Sequence, residues 1–198
     1  MLVFIDIDGT LRDLHLTTYN FAKSMSGCTV VPYDEWDYTG DKFIVRGQPY
    51  KYVPFILDFC PEALHNAPKT REFDDVMLFA NSIPSVDIRI VTAFPVIHYE
   101  HPDVSQALLW IDSTYRWIKE NMGDFWLTRM LPMSSELRVK IPDILIDDYP
   151  YEISNGYKAK IYTVPRSWNT EQQKAFQLIP VRKHERKAGK RGMRIQNR

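Results

Sequence analysis

The sequence predicts an α/β fold, a Rossmann-like parallel sheet with helices on both faces. Three observations carry that expectation. The apolar runs LVFI at 2–5, DIRIV at 87–91 and DILI at 143–146 read as buried strands. Segments with helical spacing separate the runs, as a parallel sheet requires. Each run ends on polar residues: Asp6, Thr92, and the pair Asp147 and Asp148. Ligands of open parallel sheets bind beyond the carboxyl ends of the strands. The pattern therefore delivers polar groups from three strands to one edge.

The elements follow in order. Residues 1–5 form the first strand, and Gly9 supplies the turn after it. Leu14, Phe21 and Met25 give residues 13–26 a helical spacing. From 27 to 69 the pattern is irregular, rich in proline and aromatics. This divides the chain into a core of residues 1–12 and 70–179, a small, partly helical insertion at 13–69, and a tail at 180–198. TREFDDVMLFANS, 70–82, is expected to be an amphipathic helix with Phe73, Val76, Met77 and Ala80 on its inner face and Thr70 as N-cap. VDIRIVTA, 86–93, is a strand, followed by a loop with Pro95 and Pro102. Residues 103–122 form the longest helix, its apolar stripe being Leu108, Ile111, Tyr115 and Ile118. FWLTR at 125–129, DILIDD at 143–148 and KAKIYTV at 158–164 are strands, and 170–178 is a last helix.

A chain of 198 residues, 44% hydrophobic, suits one domain or a core with an insertion. The formal net charge is zero, but it is unevenly spread. Residues 180–198 carry eight Lys or Arg against one Glu, which leaves the rest mildly acidic. Cys28 and Cys60, without CxxC spacing, point to a reduced, intracellular (cytoplasmic) protein. No signal peptide and no apolar run of membrane-spanning length is read, so no membrane partner is expected.

Asp6, Asp8, Asp147 and Asp148 would bring up to four carboxylates into one crevice. Like charges so close repel. A hard divalent cation such as Mg²⁺ would relieve the repulsion and leave positions for water and phosphate oxygens. It would also let an anionic carboxylate approach an anionic phosphate. Taken singly, Asp-Gly-Thr is a common turn and an Asp after a strand a common helix cap. Their joint placement at three strand ends sets these residues apart.

FIDIDGTL, IVTA and ILIDD, in that order, resemble the signature segments of the haloacid-dehalogenase-like (HAD) phosphohydrolases. The resemblance covers residues 1–165, and the insertion stands where that superfamily carries a cap. More narrowly, YRWIKENMGDFW, then LTR, then DILIDDYP are similar to the cytosolic type C 5'(3')-deoxyribonucleotidases over 115–150. The resemblance implies a Mg²⁺-dependent phosphomonoesterase acting on nucleoside monophosphates. Asp6 would be the nucleophile and Asp8 the general acid and base. Asp6, Asp147, Asp148 and the Asp8 carbonyl would form the metal site. Thr92 and Ala93 would bind the phosphoryl group. The cation expected against the phosphate is Lys140, with Arg138 as the second choice, because Leu137 stands at the aligned position. Leu14, Ala93 and Tyr149 also depart from the nucleotidase pattern.

Tyr33, Trp36, Tyr38, Phe43, Tyr50, Tyr52, Phe55 and Phe59 crowd the insertion. They would either form its own core or offer a base a stacking surface. Trp36, Phe43 and Arg46 are the candidate substrate contacts. His98 and His101 sit in a proline-flanked loop and read as a substrate contact rather than a metal pair. The tail, VRKHERKAGKRGMRIQNR at 181–198, lacks apolar periodicity. It keeps open an alternative in which the substrate is a polynucleotide end or nucleic acid is bound. A non-catalytic HAD scaffold is a third reading, opposed by the presence of both Asp6 and Asp8.

Overall fold

The computed structural model describes residues 1–32, 42–92, 104–149, 151, 156–170 and 177–178. Among them the chain runs β1 (Leu2–Asp6), α1 (Leu14–Ser24), β2 (Cys28–Val30), β3 (Phe43–Val45), β4 (Gln48–Tyr50), α2 (Tyr52–Phe59), α3 (Ala63–Asn66) and α4 (Phe73–Asn81). It continues with β5 (Asp87–Thr92), α5 (Val104–Met122), α6 (Asp124–Leu127), β6 (Met130–Pro132), α7 (Ser135–Lys140), β7 (Ile144–Asp147), β8 (Lys160–Thr163) and the two-residue β9 (Gln177–Leu178).

Six strands form one sheet in the order β6-β5-β1-β7-β8-β9, and every described pairing in it is parallel. The class is therefore α/β, as the alternation predicts. From β1 the chain steps outward through β5 to β6, then returns to the far side of β1 for β7. The reversal lies between β1 and β7, the place where such sheets open a crevice for ligands. Strand residues alternate between two cores. Val3, Ile5, Ile88, Ile90, Ile144 and Ile146 pack with Phe73, Val76, Trp117 and Ile118 from α4 and α5. Phe4, Val91, Leu145 and Ile161 pack on the other face with Val139 of α7. Burial on both faces explains why β1 and β7 lack polar alternation.

The described residues between 14 and 66 build a second body. β2, β3 and β4 form an antiparallel sheet. Arg46 and Gly47 join β3 to β4 with φ of 51° and 82°. Positive φ at both central residues matches the type I′ turn that suits hairpin twist. Leu14, Phe43, Phe55, Ile56 and Leu64 share a core there with Trp110 of α5. The two chain crossings into this body bond each other: Asp13 N–H to the Pro68 carbonyl and Thr70 N–H to the Leu11 carbonyl, both at 2.8 Å.

Several expectations change. The segment 27–69 holds a three-stranded sheet that its irregular pattern hid. Thr70 is not the cap of α4. The cap position falls at Glu72, and the Thr70 hydroxyl instead donates to the Thr10 carbonyl at 2.7 Å. On α5 the predicted stripe is partly inverted: Leu108 is 59% exposed while Trp110, Thr114, Trp117 and Ile118 are buried. FWLTR is not a strand; its first residues form α6, and pairing with β5 begins at Met130. Of the last helix expected at 170–178, Thr170 is helical, residues 171–176 fall outside the described residues, and Gln177–Leu178 form β9. No helix among the described residues is long and apolar enough to cross a membrane.

Candidate functional site

Register brings the acidic residues together. Ile5 pairs with Ile146, so the next residues, Asp6 and Asp147, end adjacent parallel strands side by side. Asp6 also pairs with Val91, which sets Thr92 one residue further along the same edge. Asp148 follows directly after β7. Oxygen atoms of Asp6, Asp147 and Asp148 all lie within 4.8 Å of one another, and all three residues are buried.

The turn after β1 is built to admit this crowding. Leu11 and Arg12 donate N–H groups to the Ile7 carbonyl at 2.9 and 2.7 Å. Gly9 adopts φ +84°, and a Cβ on it would lie 2.2 Å from the Asp148 carboxylate. Only glycine meets both demands. The neighbouring Thr10 hydroxyl donates to Asp148 Oδ1 at 3.2 Å.

Among the described residues one cation enters the cluster. Arg138 Nη1 contacts Asp6 Oδ1 and lies 3.4 Å from Asp147 Oδ2. Its Nε is buried without a hydrogen-bond partner. Asp147 accepts further bonds from the Tyr151 hydroxyl at 2.8 Å and the Tyr149 N–H at 2.9 Å. Burial pushes the Asp6 carboxyl well above its ordinary value; Arg138 opposes this, while Asp147, Asp148 and Asp8 add to it. Burial would weaken the Arg138 charge, but Asp6 and Asp147 hold its pKa above the ordinary value. Among the described residues, three buried carboxylates thus meet one guanidinium, which contacts two of them, Asp6 and Asp147. An all-oxygen anionic donor set of this kind suits a hard divalent cation.

The other predicted residues divide. Asp8 stands outside the three-carboxylate group, and its Oδ1 pairs with Arg12 Nε at 2.7 Å. Thr92 is buried at the end of β5. Lys140 does not join the site: it lies exposed and pairs with Glu136 one turn back on α7. At 100° per residue, positions 138 and 140 face nearly opposite ways on a helix, so only Arg138 turns inward. Phe43 is not an open stacking surface, for it is fully buried against Phe55 at a ring distance of 3.8 Å. Arg46 is exposed in the β3–β4 turn. Trp36, Ala93, His98, His101 and the tail fall outside the described residues.

Two residues near Asp8 escaped the sequence reading. Arg12 is fully buried, contacts the Leu64 carbonyl, and lies 3.3 Å from the Thr114 hydroxyl. His15 packs against Tyr52 at 5.0 Å between ring centres. Burial lowers its pKa to about 4, so it is neutral at pH 7. A signal for Arg12 existed, since an arginine four residues after an aspartate in a turn can fold back upon it. No known family model matches the chain, and no curated protein matches it in sequence.

Proposed function

We propose that the protein is a Mg²⁺-dependent phosphomonoesterase of the HAD type, with nucleoside monophosphates as the favoured substrate class. The observation that carries the reading is the convergence of Asp6, Asp147 and Asp148 with the Arg138 guanidinium at one sheet edge, with Asp8 two residues beyond Asp6. Asp6, Asp148 and the Asp8 carbonyl would hold the ion, supported by Asp147, and residues 13–69 would act as the cap. When bound, Mg²⁺ would offset the repulsion between carboxylate and phosphate.

The chain's own groups supply the rest. An Asp6 oxygen attacks phosphorus, and the bond from phosphorus to the leaving oxygen breaks as Asp8 gives that oxygen its proton. Water then attacks the aspartyl-phosphate. Asp8 takes the water proton, and phosphate leaves with Asp6 restored. Arg138 replaces the expected lysine as the cation beside the nucleophile. Its planar fork can face Asp6, Asp147 and a phosphoryl oxygen at once, and it does not lose its proton.

The test is Mg²⁺-dependent phosphate release across ribo- and deoxynucleoside monophosphates, sugar phosphates and 3'-phosphorylated oligonucleotides. Asp6→Asn is expected to abolish release, and Asp8→Asn to slow it by about 10²–10⁴-fold. EDTA is expected to silence the wild type. Full activity in Asp6→Asn would refute the covalent route.

A further inference from the structure

Arg166 and Asn169 follow β8 and belong to none of the signature segments, yet they grip both turns that carry the acidic cluster. Arg166 Nε and Nη2 donate to the Gly9 carbonyl at 3.0 and 2.5 Å. Its Nη1 donates to Glu72, just before α4, at 2.7 Å and to the Pro165 carbonyl at 2.9 Å. Asn169 is fully buried. Its Nδ2 donates to the carbonyls of Asp148 at 2.8 Å and Val164 at 2.9 Å, while its Oδ1 accepts the Arg166 N–H at 2.9 Å.

We infer that Arg166 and Asn169 are positioning residues that set Asp148 against Asp6, and thereby the affinity of the cluster for a divalent cation. Asp148 lies just past the end of β7, and Asn169 supplies a buried partner for its carbonyl. The Gly9 turn presses on the Asp148 carboxylate from the other side, and Arg166 fixes that turn by its carbonyl. Asparagine suits the task because one neutral side chain both donates to two carbonyls and accepts an N–H. Partners of this outer kind are worth about 10–100-fold in metal affinity or activity.

The inference rests on the metal site of the proposed function, and the experiment separates the two. Mn²⁺ binding to the full chain is followed by electron paramagnetic resonance for the wild type, Asn169→Ala and Arg166→Lys, beside circular dichroism and phosphate release at graded Mg²⁺. The expected result is Mn²⁺ binding weakened about 10–100-fold in Asn169→Ala. The Mg²⁺ concentration needed for half-maximal turnover should rise by the same factor, with kcat at saturating Mg²⁺ nearly restored. Arg166→Lys, which keeps the charge and one donor, should fall between that variant and the wild type. Folded variants that bind Mn²⁺ within twofold of wild type would overturn the inference, since a purely structural role lowers the melting temperature without moving the affinity of the folded form. Should Asn169→Ala fail to fold, Arg166→Lys carries the comparison alone. A wild type that binds no Mn²⁺ sinks both proposals. One that binds Mn²⁺ but releases no phosphate from any substrate sinks only the enzymatic reading.

Discussion

Asp6 sits where its own charge is least welcome. Burial disfavours the carboxylate, three further aspartates add to the penalty, and among the described residues Arg138 opposes them. Replacing Arg138 by Met should therefore leave carboxylates uncompensated in the interior. The metal-free protein is expected to lose up to about 3–5 kcal/mol, less to the extent that Asp6 takes up a proton. Mg²⁺ should recover part of the loss. Urea unfolding with and without Mg²⁺ measures both, and an unchanged midpoint without Mg²⁺ would deny Arg138 its compensating role. A second residue gives a pH signature. Burial holds His15 near a pKa of about 4 in the folded chain, against 6.5 as its ordinary value. The unfolded state then binds a proton that the folded state refuses between those values. Stability from this group is complete above pH 6.5 and is lost as pH falls toward 4, by at most about 3 kcal/mol. In His15→Gln the fall in stability over that window should be shallower, as read from unfolding curves at successive pH; identical slopes would contradict the assignment.

At the scale of elements, α5 shows how a helix chooses its inner face. Its sequence carries apolar residues on two stripes: Leu108, Ile111 and Tyr115 on one, Ala107, Trp110 and Trp117 on the other. Periodicity cannot rank them. The second stripe is the buried one, and two of its polar groups find partners: Trp117 Nε1 donates to the Ala67 carbonyl at 2.6 Å and Thr114 meets the buried Arg12, while Trp110 Nε1 is buried unpaired among the described residues. Trp117→Ala is therefore expected to cost about 3–5 kcal/mol, whereas Leu108→Glu should change stability by no more than about 0.5 kcal/mol. Thermal or urea melts of the two variants decide it, and comparable losses would reverse the assigned face. The strand ends were legible for the opposite reason. A strand buried on both faces reads as an apolar run, so the polar residue that stops it is conspicuous. FWLTR was not legible, because a short apolar run fits a strand and a helical turn alike.

For the whole molecule, the parallel sheet and the small body between residues 14 and 66 account for the described fold, and the basic tail lies outside the described residues. With a mononucleotide as substrate, deleting 181–198 should leave turnover unchanged and moderate salt should matter little. If a polynucleotide end is the substrate, binding should weaken with a logarithmic salt slope of about 0.7 per phosphate contacted on a single strand. The deletion should then flatten that slope and raise KM on oligonucleotides alone. The mononucleotide outcome is expected. A truncated chain that loses oligonucleotide phosphatase activity but keeps its activity on a small phosphate ester would overturn it.

What the sequence determined by itself was local. The buried strands, the alternation that makes their sheet parallel, and the placing of Asp6, Thr92, Asp147 and Asp148 at strand ends all follow from runs of a few residues. What the tertiary structure decided was which distant groups meet. Arg138 rather than Lys140 enters the acidic cluster through the phase of a short helix. Phe43 goes into a core, and the segment after β8 closes over Gly9 and Asp148. Periodicity records whether a residue faces inward but not what it faces. The partner of the buried Asp6 is set by register and packing between segments more than a hundred residues apart.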